Sequence, residues 1–173
     1  MATKPNSDQP GDGLSELPAG LSDGRQSPAA LAIARGTRRL LSSLDYASIV
    51  EFVLPSGRRA DICAASQDGE ILIVEVKSSV EDFKSDQKWP EYRDYCDRFY
   101  FAVDADFPNT LVPEDVGLII ADRFGAEIVR HGDDERLAAA RRKAITLRLA
   151  RAAAMRLHAL ADPQAQIERQ GRF

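Results

Sequence analysis

The feature that most constrains this chain is the segment ILIVEVK at residues 71–77. Its run of Ile, Leu and Val is typical of a strand buried on both faces, and therefore central in its sheet. Charged groups are costly in such surroundings unless they are paired or bind something. Glu75 and Lys77 lie two residues apart, on the same face of the predicted strand. They therefore mark the first candidate for a functional site.

The neighbouring segments predict an α/β fold. Residues 28–44 read as a helix, with Ser27 as its cap and Pro28 in its first turn. The segments ASIVEFVL and RRADICAA, separated by PSG, predict a hairpin that precedes the central strand. After Lys77 the pattern predicts two short helices, the strand RFYFAVD, a second hairpin made of VGLIIAD and AEIVRHG, and a long C-terminal helix. Helices and strands in this order predict a sandwich built on a mixed sheet.

Length and composition set the domain plan. The 173 residues suffice for one domain with a real core, and 44% of them are hydrophobic. We expect a disordered tail at residues 1–27, a core at 28–132, a basic amphipathic helix at 133–162 and a second disordered tail at 163–173. The net charge of −4 does not by itself indicate nucleic-acid binding.

Compartment and redox state also follow from the sequence. No apolar run approaches the roughly 20 residues of a membrane helix, and no secretory signal is evident. The two cysteines, Cys63 and Cys96, lack metal-type spacing. A cytoplasmic protein without a membrane partner is the simplest expectation.

Asp61 supplies the second acid of the candidate site. If the strands that carry Asp61 and Glu75 are neighbours, the two carboxylates converge and suit a hard divalent cation. Such a cation lowers the pKa of a bound water. Lys77 would then orient or deprotonate that water, or stabilise charge that builds up on a phosphate.

Glu51 is a further candidate ligand whose position depends on the hairpin register. A two-residue loop at Ser56 and Gly57 pairs Phe52 with Asp61 and sends Glu51 to the opposite face. A three-residue loop that includes Pro55 pairs Glu51 with Asp61 instead. One residue of slip reverses the answer, and the sequence leaves both registers open.

Asp61 together with Glu75-Val76-Lys77 resembles the Asp…(Asp/Glu)-x-Lys signature of the PD-(D/E)xK nuclease superfamily, with Ala60 in place of the signature proline. The longer stretch from RRADIC to RFYFAV is similar to the MmcB family of bacterial DNA-repair proteins. The resemblance implies a restriction-endonuclease-like three-layer sandwich, a central mixed sheet flanked by helices. It also implies metal-dependent cleavage of DNA, with Mg²⁺ or Mn²⁺ held by Asp61, Glu75 and the Val76 carbonyl, and Lys77 as the catalytic lysine.

Several other residues are candidate DNA contacts, each with a structural alternative. The arginines before Asp61 are either surface charge at a hairpin tip or phosphate contacts. In KWPEY, a lysine stands where recombination-type nucleases of the superfamily have Gln in Q-x-x-x-Y, and the aromatic residues either stack on bases or pack in the core. The C-terminal helix adds a dense run of arginines. The candidate contacts are Arg58, Arg59, Lys88, Trp89, Tyr92, Arg141 and Arg142.

The C-terminal helix also carries an apolar stripe that we expect to dock on the core. Its arginines leave three uses open: DNA contact, a solvated face, or a surface for a partner protein or second copy. The predicted stripe consists of Leu137, Ala140, Ala144, Leu147, Ala154, Leu157 and Leu160.

Two functions compete. The first is a Mg²⁺-dependent DNA endonuclease in repair, associated with the nucleoid. The second is a non-catalytic factor on a nuclease-like fold that binds DNA or a repair partner. The complete Asp, Glu and Lys set favours the enzyme, while the small size without a second recognition domain favours the binder. A homodimer and RNA as substrate remain open.

Overall fold

A computed structural model describes residues 26–163, so the predicted tails at 1–27 and 163–173 lie almost wholly outside the described residues. No helix in this range is long and apolar enough to cross a membrane. A short 3-10 helix, Asn109–Leu111, lies between β4 and β5. The other elements are α1 (Pro28–Ser43), β1 (Tyr46–Val53), β2 (Arg59–Ser66), β3 (Ile71–Val76), α2 (Val80–Ser85), α3 (Pro90–Arg93), β4 (Arg98–Val103), β5 (Gly117–Ala121), β6 (Ala126–Arg130) and α4 (Ala139–Ala161).

The strands of residues 26–163 form one mixed sheet in the order β1-β2-β3-β4-β5-β6. Strand β3 pairs in parallel with β4, and β4 with β5, while the other pairs are antiparallel. Every residue of β3 is buried, as its unbroken apolar run predicts. The central position expected for this strand is confirmed.

Helices cover both faces of the sheet. On one face α1 contributes Ile33 and Leu41 to a cluster with Val74 of β3. On the other face Tyr92 of α3 and Ile145 of α4 join a second cluster that includes Ile73 of β3 and Phe99 of β4. The predicted α/β sandwich with a mixed sheet between helices is confirmed.

Helix α1 begins as its sequence predicts and packs unusually close to the sheet. The Ser27 hydroxyl accepts a hydrogen bond from the Ala30 N–H at 3.1 Å. At Gly36 the helix backbone touches the β5–β6 turn, and a Cβ built there would lie 2.1 Å from the Asp122 carbonyl oxygen and 2.3 Å from that of Gly125. A glycine at position 36 therefore sets the distance between α1 and the sheet.

The connection from β3 to β4 covers the carboxyl end of β3. Ser79 caps α2 by accepting from the Asp82 N–H at 3.1 Å, and Pro90 begins α3. The ring of Phe83 in α2 packs edge-on against Phe101 at 5.0 Å between centroids. Because Phe101 is the register partner of Glu75, this crossover lies directly over the candidate site.

The C-terminal helix differs from the prediction in its start. It begins at Ala139 rather than at 133, because N–H groups of the preceding segment donate to Asp97, which lies just before β4. The N–H of Glu135 donates to the Asp97 carbonyl at 2.8 Å, and that of Leu137 donates to the Asp97 carboxylate at 2.9 Å. An extended segment bound in this way is not available for helix formation.

The predicted docking stripe of α4 is also wrong, apart from Leu137. The other six predicted residues are exposed, whereas Ile145 is fully buried against the core. The apolar pattern alone misses the docked face because two of its members are arginines that bind the body of the protein. The docked face consists of Arg142, Ile145, Leu149, Ala152, Arg156 and Ala159.

We expect Gly36→Ala to lower the free energy of unfolding by about 2–3 kcal/mol, because the added methyl meets backbone carbonyls that cannot rotate away. Helix propensity alone would favour alanine by about 1 kcal/mol, so the sign of the change is diagnostic. Denaturant unfolding measures it. The matched control is Gly125→Ala, whose Cβ would meet nothing within 4 Å. A stabilised Gly36→Ala variant would contradict the packing.

Candidate active site

Asp61 and Glu75 lie side by side where the β2–β3 ladder ends. The last paired residues are Ile62 and Val74. Beyond them, the Glu75 Oε1 accepts from the Asp61 N–H at 3.1 Å, and the Asp61 Oδ2 accepts from the Val76 N–H at 2.8 Å. Each carboxylate therefore holds the backbone of the opposite strand, and the predicted convergence of the two acids is seen in the structure.

Burial makes this pair electrostatically unusual. Glu75 is 5% exposed. Desolvation, reinforced by the charge of Asp61, raises the pKa of Glu75 well above its ordinary value. Desolvation likewise raises the pKa of Asp61 to about 6, although its bond from Val76 and the charge of Lys77 oppose the shift. Two neighbouring carboxyl groups that resist ionisation are a common property of functional sites.

Lys77 is buried beside the two acids but is bonded to a different one. Its Nζ donates to the Asp86 Oδ2 at 2.7 Å, and it lies 6.0 Å from the centre of the Phe101 ring. Burial alone lowers the pKa of Lys77, but the hydrogen bond and charge of Asp86 outweigh it and raise the pKa above its ordinary value. Lys77 is therefore a fixed cation.

The hairpin adopts the register that places Glu51 opposite Asp61. Val50 pairs with Ile62 and Phe52 with Ala60, so the loop has three residues and ends at Gly57 with φ +85°. Glu51 itself has φ +51°, which is rare for a residue with a side chain.

The carboxylate of Glu51 is already engaged by neighbouring side chains. Its Oε1 accepts from the Gln26 Nε2 at 2.6 Å, and its Oε2 lies 2.5 Å from the Arg59 Nε. The charge of Glu51 nevertheless contributes to the raised pKa of Asp61. Glu51 therefore acts on Asp61 at short range while its own oxygens are held by other groups.

The donor set at the strand ends fits a divalent cation in its chemistry. Among the described residues, no donor is hydrogen-bonded to the second oxygen of either Asp61 or Glu75. The Val76 carbonyl leaves β3 on the side of its N–H, towards Asp61. Within residues 26–163 no group of three or more His, Cys, Asp or Glu side chains is arranged to hold a metal. A cation here would therefore depend on the two carboxylates and a backbone carbonyl.

The three basic residues predicted near the site differ in how they are held. Arg58 forms two bonds to Glu91, at 2.5 and 2.7 Å, and Arg59 pairs with Glu51. Lys88 is exposed. Arg58 and Arg59 are thus each paired with an acid, whereas Lys88 has an exposed side chain and follows closely on Asp86, to which its backbone N–H donates.

The two predicted stacking residues pack against Phe99. Tyr92 is 7% exposed, lies parallel to Phe99 with ring centroids 6.0 Å apart, and donates to the Arg59 carbonyl at 3.1 Å. Its ring is therefore part of the core. Trp89 stacks on Phe99 at 5.5 Å and remains half-buried.

The two arginines of α4 lie far from this site. Arg142 makes a bidentate pair with Asp97, at 2.6 and 2.7 Å, and Arg141 bonds to Asp94. Asp97 accepts from the N–H of Ile71 at the start of β3, about 13 Å along the strand from Glu75. Arg142 therefore makes a contact within the protein, and the structure gives no support to the predicted DNA contact at this residue.

Sequence reasoning assigned no partner to Lys77 and no role to Gln26 or Asp97. Asp86 accepts from the Lys88 N–H at 3.0 Å as well as from Lys77. The sequence gives no signal for the Lys77–Asp86 pair, because Asp86 lies nine residues after Lys77 in a connection whose path no sequence periodicity predicts.

The fold and the strand-end geometry define a protein with a mixed sheet and a buried Asp–Glu–Lys cluster at the end of its central strand. A family model described as DNA repair protein MmcB-like matches residues 17–164. The chain therefore belongs to the MmcB-like family of DNA repair proteins.

One solved structure is similar over most of its length. It is SPO1766, a protein of unknown function from Silicibacter pomeroyi, with 43% sequence identity and a TM-score of 0.77. The similarity covers 80% of this chain and 95% of the other. No curated protein matches the chain. The fold is thus shared with a solved relative whose own function is not established.

We expect Asp61→Asn to raise the free energy of unfolding by about 1–3 kcal/mol above pH 6 in metal-free buffer. The folded state raises the pKa of Asp61 to about 6 from 3.8. Protonated Asp61 therefore contributes fully to the free energy of unfolding below about pH 4, and this contribution is lost as the pH rises through 6. Asparagine keeps an oxygen that can accept from Val76 and removes the penalty.

Denaturant unfolding from pH 4 to 8 measures the difference, with Asp106→Asn as the control at an exposed position. The gain should shrink towards zero at pH 4. Destabilisation of Asp61→Asn at pH 8 would contradict the raised pKa of Asp61 as the cause of the gain. So would a gain in the free energy of unfolding that does not change with pH.

Proposed function

We propose that this protein is a divalent-metal-dependent nuclease that hydrolyses DNA phosphodiester bonds during repair. The observation that carries the proposal is the buried Asp61–Glu75 pair with Lys77 beside it, at the rigid end of a central strand. In a structural ion pair each charge is neutralised by the opposite charge of its partner. Here, in contrast, two acids with raised pKa values are buried next to each other. Membership in a DNA-repair family supports DNA as the substrate.

Asp61 and Glu75 would hold Mg²⁺ or Mn²⁺, with the Val76 carbonyl as a further ligand. Glu51 would join only if it released Gln26 or Arg59. When bound, the cation would neutralise the two carboxylates and polarise a phosphate oxygen and a water. The bound cation would then offset the free-energy cost of burying the two carboxylates.

Lys77 would stabilise the negative charge that develops on the phosphate. A lysine whose pKa is raised stays protonated at neutral pH, so it is suited to electrostatic stabilisation and poorly suited to act as a base. Asp86 positions its ammonium group, and the exposed Lys88 and half-buried Trp89 offer contacts to the DNA strand next to the site.

One observation favours the competing function, a non-catalytic DNA-binding or partner-binding factor. In the described structure each site residue already has a protein partner: Asp61 and Glu75 accept backbone N–H bonds, and Lys77 is bonded to Asp86. These contacts are also compatible with a purely structural role for Asp61, Glu75 and Lys77. Measured cleavage separates the two functions.

We expect the wild type to cleave labelled DNA in Mg²⁺ or Mn²⁺ and not in EDTA, on at least one of duplex, single-strand, flap, fork or Holliday-junction substrates. Lys77→Met should lower the single-turnover rate at least a hundredfold, because it removes the cation and keeps the side-chain length. The control is Lys84→Met, an exposed lysine of α2. Metal-dependent cleavage of equal rate in Lys77→Met would contradict the role proposed for Lys77. Retained DNA binding with no cleavage by any variant would support the non-catalytic factor.

We expect Asp86→Asn to slow cleavage about tenfold while the dissociation constant for DNA changes less than twofold. The amide can still accept a hydrogen bond but no longer holds the ammonium of Lys77 by charge. Asp86→Glu should recover part of the rate. Glu81→Gln, at an exposed acid of α2, is the control. An unchanged rate in Asp86→Asn would show that Asp86 does not position Lys77.

A further inference from the structure

Helix α4 carries a second seam on the side that faces away from the protein. Its docked face repeats every third and fourth residue, and a parallel series lies on the opposite side with the same spacing. We call this series the outer seam. All of its members are exposed. The outer seam consists of Ala140, Lys143, Leu147, Ala150, Ala154, Leu157 and Ala161.

Two leucines make the outer seam strongly apolar. Leu147 is 61% exposed and Leu157 is 67% exposed. They lie ten residues apart, about 15 Å along the helix, on the same line as the alanines. Single exposed leucines are ordinary on protein surfaces. Leucines in a regular three-and-four repeat with small residues between them have the pattern of a helix that packs against another helix.

The charge around the outer seam is of one sign. Residues 139–161 contain no Asp or Glu. The other arginines of α4 largely turn towards the body: Arg148 donates to the Val53 carbonyl and Arg156 to that of Val50. Among the described residues, Lys143 and Arg151 have no hydrogen-bond or ion-pair partner. Lys143 within the outer seam and Arg151 beside it are therefore available to an anion.

This combination decides between the possible occupants. A second copy of α4 laid against the outer seam would bring like charges together, which is unfavourable. DNA contacts would use the cations but would leave Leu147 and Leu157 facing a polar backbone. A helix with leucines on one face and acids beside them would satisfy both features.

We propose that the outer seam of α4 binds an acidic amphipathic helix of a partner protein. The partner helix places leucines against Leu147 and Leu157, and glutamates or aspartates beside Lys143 and Arg151. This surface lies on the face of α4 opposite the core and uses no residue of the candidate active site. Binding there is independent of whether the protein cleaves DNA.

The test uses the full-length protein and a fluorescein-labelled 21-residue peptide with leucine at the a and d positions of three heptads and glutamate at e and g. The glutamates repel one another and keep the peptide from pairing with itself at neutral pH. A second peptide with lysine in place of every glutamate is the control. Fluorescence anisotropy should show saturable binding of the acidic peptide and at least tenfold weaker binding of the basic one.

Variants then locate the binding. The double variant Leu147→Asp with Leu157→Asp should bind the acidic peptide at least tenfold more weakly than the wild type. Lys143→Glu with Arg151→Glu should reverse the preference towards the basic peptide. Phe124→Asp, at an equally exposed apolar residue of the β5–β6 turn, and Arg136→Glu, at an exposed arginine before α4, should leave binding unchanged. Circular dichroism checks that each variant keeps its helix content.

Other outcomes overturn the proposal. They are absence of binding by the acidic peptide, equal binding by the leucine double variant, and displacement of the peptide by duplex DNA at matched charge concentration. Sedimentation that shows a dimer abolished by Leu147→Asp with Leu157→Asp would assign the outer seam to a second copy instead.

Discussion

Strands β2 and β3 stop exchanging backbone hydrogen bonds at the point where Asp61 and Glu75 begin to accept them. Each carboxylate accepts a hydrogen bond from an N–H group of the other strand, at 2.8 Å for Asp61 and 3.1 Å for Glu75. The two acids therefore fix the strand ends and are fixed by them. Their geometry depends on the most deeply buried strand of the sheet, which gives any chemistry carried out there a rigid base.

A second buried acid shows what structural burial looks like in the same molecule. Asp97 is 2% exposed, yet bonds from Arg142 and from the N–H groups of Ile71 and Leu137 overcome its desolvation and lower its pKa. Asp97 joins β3, β4 and the start of α4 at one end of the sheet. Glu75, at the other end of β3, is raised in pKa and incompletely bonded. Asp97 therefore has a hydrogen-bond donor for both carboxylate oxygens, whereas Glu75 accepts one backbone hydrogen bond among the described residues.

Local patterns predicted the elements of this fold well, because each rests on a few neighbouring residues. The apolar run 71–76 identified the central strand. Alternation along it put Glu75 and Lys77 on one face, and pairing with the preceding strand added Asp61. The register of Glu51 depended on one loop residue, and only the structure selected it. The docked face of α4 could not be predicted, because arginines that bind buried acids and strand carbonyls, such as Arg142 and Arg156, replace apolar residues there. Long-range pairs such as Lys77 with Asp86 leave no periodic signal.

We propose that Asp61 and Glu75 form a metal site. Crystals soaked in Mn²⁺ and measured for anomalous scattering test it most directly. We expect one strong peak within about 2.3 Å of an oxygen from each carboxylate, and its loss in Glu75→Gln. A peak elsewhere, or none while both carboxylates keep their backbone hydrogen bonds, would contradict the claim and leave the pair as a structural device of the strand ends.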